Sequence, residues 1–242
     1  MAELPLVYLH GWGLHGGIWS ETAARLPGLT PDLPGYGDVT AVTPYNAETL
    51  ADALAATLPD GAAVCAWSLG GMVALALAAR HPHKVARLVL VATNPAFVSR
   101  SDWLHGLAPD VLAEFARALR DDYKATLLRF LSLQARGGDQ ARAVIEQLRG
   151  SVFLRGEPSA EVLAAGLDLL QAVDLRSVVG LVRCPVLVVH GAYDMLCPLG
   201  AGRWLAENLL DARLALHEHA AHAPFLSHPD WFMAELRGFL NG

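Results

Sequence analysis

Val64-Cys65-Ala66-Trp67-Ser68-Leu69-Gly70-Gly71-Met72 joins an apolar, strand-like run to an alanine-rich, helix-like one. A serine at that junction is the sequence form of a nucleophile elbow. There the chain reverses so sharply that only very small residues fit two positions to either side. Gly70 meets that demand. On the other side stands Ala66 instead of glycine, and its single methyl group leaves the turn feasible. A small-x-Ser-x-Gly string is common by chance, so its weight comes from the strand before it and the helix after it.

Candidate partners lie downstream. Pro185-Val186-Leu187-Val188-Val189-His190 reads as a buried strand that stops at Gly191, and Asp194 follows. His222 lies in His219-Ala220-Ala221-His222-Ala223-Pro224-Phe225. The order serine, acid, histidine resembles that of α/β-hydrolases, and both candidates fall in loops after strands, where a parallel sheet places its chemistry. A serine hydroxyl is a weak nucleophile at neutral pH. His222 would take its proton, and Asp194 would fix the imidazole tautomer and stabilise the imidazolium. His217 and His219 are the rivals of His222; Asp168 and Asp174 are those of Asp194, and a carboxylate on a helix face is usually only solvated.

Acyl transfer also needs two donors aimed at the developing oxyanion. The N–H of Leu69, next to the nucleophile, is one candidate. The N–H of Trp12 is the other, in the loop His10-Gly11-Trp12-Gly13 after the strand Pro5–His10. His10 reads as a residue that organises this loop through main-chain hydrogen bonds.

Composition narrows the function classes. With 242 residues, 53% of them hydrophobic, the chain can bury one large core, yet no uncharged apolar run reaches the roughly 18 to 20 residues of a membrane span. The start Met1-Ala2-Glu3-Leu4-Pro5 shows no secretory signal. Three cysteines without metal-ligand spacing argue for reduced thiols and a cytoplasmic setting. No phosphate-cradling loop or nucleic-acid motif stands out. Neither metal, cofactor, nucleic acid nor membrane is expected, and a monomer is.

Strands are predicted at Leu4–Leu9, near Leu29–Leu33, and at Ala62–Trp67, Leu88–Ala92, Val186–His190 and Arg213–His217, alternating with helices. This is an α/β architecture with a mostly parallel sheet of about six strands. The first strand begins at residue 4, which leaves no room for an N-terminal hairpin. Alternation breaks off between Pro95 and about Leu175. That stretch reads as helices at Val111–Arg120, Asp122–Gln134, Gln140–Arg149 and Ala160–Val173. The expected division is a core of residues 1–94 and 176–242 with a helical cap, 95–175, inserted over the strand ends.

From Arg100 to Arg155 nine basic residues face seven acidic ones, a positive surplus in a chain of net charge −6. A solvated helical surface is the plain explanation; a landing patch for an acidic macromolecule is the sharper one.

His10-Gly11-Trp12-Gly13-Leu14, Trp67-Ser68-Leu69-Gly70-Gly71 and His222-Ala223-Pro224-Phe225-Leu226-Ser227-His228-Pro229 resemble the pimeloyl-acyl-carrier-protein methyl ester esterases of biotin synthesis, within the α/β-hydrolase superfamily. So do Asp32-Leu33-Pro34-Gly35-Tyr36-Gly37, Val173-Asp174-Leu175-Arg176 and the more specific Arg129-Phe130-Leu131-Ser132-Leu133-Gln134. The resemblance implies a serine carboxylesterase acting on pimeloyl methyl ester carried by acyl carrier protein. Ser68, Asp194 and His222 would be the triad, and Trp12 and Leu69 the backbone donors that also touch substrate. Phe130 would line the acyl channel, and Arg129 and Arg142 would meet the carrier. Ala125 and Glu146 stand where two further basic residues of the family belong; Lys124, Arg136 and Arg149 are near enough to compensate. The wider alternatives are a general esterase, lactonase or carbon–carbon bond hydrolase with the same triad, or a non-enzymatic binding module.

Overall fold

The computed structural model describes residues 4–156 and 158–242. Five parallel strands form one sheet in sequential order: β1 (Leu6–Leu9), β2 (Ala62–Trp67), β3 (Val85–Val91), β4 (Val186–Gly191) and β5 (Ala212–His217). β1, β2 and β4 are buried along their whole length. Their sequences are unbroken apolar runs because helices cover both faces and every side chain points into core. Ten α-helices accompany the described strands: α1 (Ser20–Arg25), α2 (Ala47–Thr57), α3 (Leu69–Arg80), α4 (Pro109–Asp121), α5 (Tyr123–Gln134), α6 (Ala141–Ser151), α7 (Ala160–Ala172), α8 (Leu199–Asn208), α9 (Pro224–Ser227) and α10 (Pro229–Asn241).

The sixth strand expected near Leu29–Leu33 is not a strand. It contributes one parallel bridge, Val7 to Leu29, in which Tyr8 N–H donates to Leu29 O and Leu29 N–H to Leu6 O, both at 2.8 Å. Pro31 and Pro34 lack the N–H groups that would continue the ladder. The bridge still has consequences. The chain leaves β1, touches its outer edge at Leu29, and returns across to β2 on its other side. That reversal is a topological switch point, where parallel sheets open a crevice beyond their carboxyl ends. The loops after β1 and β2 flank it.

Helices α4–α7 lie between β3 and β4 in sequence and reach the loops beyond the strand ends. Trp12 Nε1 donates to Leu163 O of α7 at 3.0 Å, and His222 N–H donates to Gln134 O at the end of α5, also at 3.0 Å. His15 Nε2 donates to Ser151 O of α6 at 2.7 Å. No helix among the described residues is long and apolar enough to cross a membrane.

Leu90 of β3 is fully buried between the strand bearing Ser68 and the strand leading to Asp194. Leu90→Ala is expected to cost about 2–5 kcal/mol, read as a lower urea midpoint at unchanged slope.

Candidate active site

Ser68 sits between β2 and α3 at φ 55° and ψ −122°, a left-handed backbone conformation that a non-glycine residue adopts only under constraint. Its neighbours supply that constraint. Ser68 N–H donates to Val91 O at 3.0 Å, while Ser68 O accepts from Gly71 N–H at 2.9 Å and from Thr93 Oγ1 at 2.7 Å. Close packing explains the small residues. A Cβ at Gly70 would collide with the His10 carbonyl oxygen, and one at Gly71 would lie 2.7 Å from the Thr93 side chain. Ala66, by contrast, fits with its methyl group buried in β2.

Three loops bring the predicted polar side chains together. Ser68 Oγ is 3.0 Å from His222 Nε2, and His222 Nδ1 is 2.8 Å from Asp194 Oδ2. The carboxylate's other oxygen accepts from the N–H groups of Leu196 (2.9 Å) and Cys197 (2.8 Å). Donors on both oxygens fix the plane of the Asp194 carboxylate, and with Nδ1 turned to it, Nε2 is the ring nitrogen left facing Ser68 Oγ. Trp67 Nε1 donates to His222 O at 2.8 Å. Phe225, just beyond, is wedged between Trp19 and Trp67 at centroid distances of 4.1 and 5.1 Å, which ties the histidine loop to the core. Ser68 is 8% exposed and His222 1%, so the site is covered and nearly dry.

The rivals lie elsewhere. Asp174 pairs with Arg176 at 2.7 Å and with Arg100 at 3.4 Å, and Asp168 is on an exposed face of α7. His219 faces Asp139 at 3.5 Å, and the His217 ring lies 3.8 Å from that of His228.

The two expected donors flank Ser68 across the switch point. Leu69 is the first residue of α3, so its N–H has no acceptor within the helix. The Trp12 N–H is in the adjacent loop, where a Cβ on Gly11 would lie 3.1 Å from Ser68 Cβ. His10 braces this loop: Nδ1–H donates to Gly11 O and Nε2 accepts from Leu33 N–H, both at 2.9 Å. Burial pushes the His10 pKa down to about 4, and protonation would set a second N–H against that of Leu33. Sequence reasoning passed over Asp32 and His15. Asp32 Oδ1 accepts from Gly16 N–H at 2.6 Å and pairs with Arg155 at 3.2 Å, while His15 Nδ1 accepts from Gly17 N–H at 3.0 Å. Arg155 for Asp32 and Ser151 for His15 lie more than a hundred residues away, so no local pattern signals those two ties.

Phe130 of α5 is buried edge-on against Trp12, with centroids 4.8 Å apart, and against Phe115 at 5.4 Å. The basic residues ride on α5, α6 and their connection, and all are exposed: Lys124, Arg129, Arg136, Arg142 and Arg149. Arg129 pairs with Glu114 at 2.8 Å, Arg142 with Glu146 at 3.2 Å, and Arg149 donates to Ser132 Oγ at 3.0 Å. Lys124 Nζ lies over the rings of Tyr123 and Phe153.

Asp194, Cys197 and His222 hold potential metal-ligand atoms within 4.8 Å of one another. Two of these groups are hydrogen-bonded to each other. Burial, followed by the nearby Asp194 charge, pushes the Cys197 thiol pKa well up, away from the thiolate that a metal requires. The donor set suits proton relay better than ion binding.

A serine, a base and an orienting carboxylate on the carboxyl rim of a parallel sheet define the α/β-hydrolase class, and residues 5–229 match the family described as alpha/beta hydrolase fold. An esterase from Exiguobacterium antarcticum superposes with a TM-score of 0.88 at 23% identity, covering 99% of this chain and 92% of its own. Among curated proteins, a pimeloyl-acyl-carrier-protein methyl ester esterase from Aromatoleum aromaticum is 48% identical over 95% of both chains. One of the same name from Chromobacterium violaceum is 45% identical over 98% of this chain and 94% of its own. The chain belongs to this family of esterases.

His10 makes acid sensitivity a direct test of the loop. An imidazole with its pKa lowered in the fold binds fewer protons than in the unfolded chain, so its contribution to stability is full above pH 6.5 and is lost as pH falls through about 4. The urea midpoint is expected to decline over that window, with a shallower decline in His10→Asn. Equal slopes for the two proteins would remove His10 from this role.

Proposed function

We propose that this protein hydrolyses the methyl ester of a pimeloyl chain carried on acyl carrier protein, through a Ser68–His222–Asp194 acyl-enzyme mechanism. The observation that carries the hydrolytic part is the continuous hydrogen-bonded line from Asp194 Oδ2 through His222 to Ser68 Oγ, at 2.8 and 3.0 Å. The substrate rests on the names of relatives up to 48% identical over nearly the whole chain.

In the forward step His222 Nε2 takes the Ser68 proton as Oγ attacks the ester carbonyl. The tetrahedral oxyanion sits between the N–H groups of Trp12 and Leu69. Collapse expels the methoxy group, which leaves as methanol with the proton from His222. Water then gives a proton to His222 and attacks the acyl-enzyme; Ser68 recovers its proton, and a free carboxylate is released. Asp194 stays ionised throughout and stabilises each imidazolium.

Residues 95–175 act as a cap over this site, the remainder forming the hydrolase core. Phe130, edge-on to Trp12, borders the acyl chain. Lys124, Arg129, Arg136, Arg142 and Arg149 receive the carrier's acidic surface. The exposed pairs Arg129–Glu114 and Arg142–Glu146 are individually weak, so the arginines can exchange these partners for carboxylates of the carrier. The free cysteines Cys65, Cys184 and Cys197 suit a reducing, cytoplasmic setting.

Methanol release from carrier-bound pimeloyl methyl ester is the test. Ser68→Ala is expected to lower it roughly 10⁴- to 10⁶-fold with circular dichroism unchanged; unaltered turnover refutes the mechanism. Raising the salt concentration should slow the carrier-bound substrate and leave a free short-chain ester unaffected. Equal sensitivity of both substrates removes electrostatic docking from the account.

A further inference from the structure

We infer that His190, a further buried histidine, is a positioning residue that clamps the turn holding Asp194. The inference rests on the triad reading above and adds a residue to it.

His190 ends the apolar run of β4 and is fully buried. Its Nε2–H donates to Cys197 O at 2.6 Å. The same turn supplies the Leu196 and Cys197 N–H groups that bind Asp194 Oδ1. One imidazole thus fixes the carbonyl of a residue whose amide fixes the carboxylate, and the carboxylate's second oxygen is left for His222. Nε2 is also 3.7 Å from Asp194 Oδ2, so the N–H edge of the ring faces the carboxyl group.

The ring is costly where it stands. Its Nδ1 has no hydrogen-bond partner among the described residues. It faces α8 so closely that a Cβ on Gly202 would lie 2.6 Å from it. A slightly larger apolar ring, such as phenylalanine, would occupy the position without a stranded acceptor. What phenylalanine lacks is the Nε2–H, and without it the Cys197 carbonyl is left unpaired in the interior. Burial lowers the His190 pKa, which agrees with a ring that stays neutral and donates from one nitrogen only. Charged His190 would face the Asp194 carboxylate and the His222 imidazole, with the Cys197 thiol, held protonated by burial, in the turn beside them.

Two substitutions separate the hydrogen bond from packing. His190→Phe keeps a planar, slightly larger aromatic ring and removes the donor; His190→Gln, which is no larger than histidine, restores an N–H at the reach of Nε2. With a free short-chain ester, His190→Phe should lose tenfold or more in kcat with KM little changed. The acid limb of its kcat/KM profile should move to lower pH, because a loosened Asp194 stabilises the His222 imidazolium less. His190→Gln should recover to within about threefold of the parent. Parental kcat and an unshifted limb in His190→Phe overturn the inference, as does a His190→Gln as impaired as His190→Phe. Nitrogen-15 NMR of the unaltered protein supplies a measurement independent of any folding defect. His190 should remain the neutral Nε2–H tautomer through the range in which His222 titrates, and titration of His190 there, or the other tautomer, refutes the clamp. Ser68→Ala keeps the two readings apart: if it leaves hydrolysis intact, the triad itself fails; if it abolishes hydrolysis while His190→Phe does not impair it, only the clamp fails.

Discussion

The reversal at Ser68 is the constraint on which the site depends. A non-glycine residue at φ 55° is held there by hydrogen bonds from β3 and α3 and by glycines that let α3 press against the loop after β1. Strain of this kind, of order 1–3 kcal/mol, persists only where surrounding structure outweighs it. Here the surroundings are β1 and β2, buried along their whole length, and a helix whose first ten residues are buried. The backbone donors beside Ser68 exist because the helix starts there and the sheet reverses direction there.

Around that turn, polar groups are kept neutral or are fully paired. Asp194 has donors on both oxygens. His10 and His190 are buried and resist protonation. In a nearly dry site an unmatched charge is expensive, and a fixed tautomer is worth more than a flexible one. The buried His10 and His190 rings make fixed hydrogen bonds to main-chain groups on either side of the His222 imidazole.

The helices between β3 and β4 complete the enclosure chiefly through backbone carbonyls. Leu163, Gln134 and Ser151 accept from Trp12, His222 and His15 respectively, so both sides of the site are anchored to the same four-helix segment. Aromatic contacts continue the link, from Trp12 through Phe130 to Phe115. The outer face of that segment carries exposed arginines, two of them in solvent-exposed pairs with Glu114 and Glu146.

Much of this was legible in one dimension. Uninterrupted apolar runs identify the buried strands, the small residues around Ser68 identify the turn, and Asp194 and His222 stand just past strands in the expected order, because a parallel sheet places all its strand ends on one rim. Leu29–Leu33 misled: its apolar residues pattern as a strand, and two prolines limit it to one bridge. Hydrogen bonds between distant segments were invisible. Asp32 to Arg155, His15 to Ser151 and Trp67 to His222 each join positions more than a hundred residues apart. Local chemistry fixes which residues can react, since periodicity and steric demand act over a few positions. Which of ten histidines takes the proton, and which only braces a loop, is decided by distances that exist only once the sheet has closed.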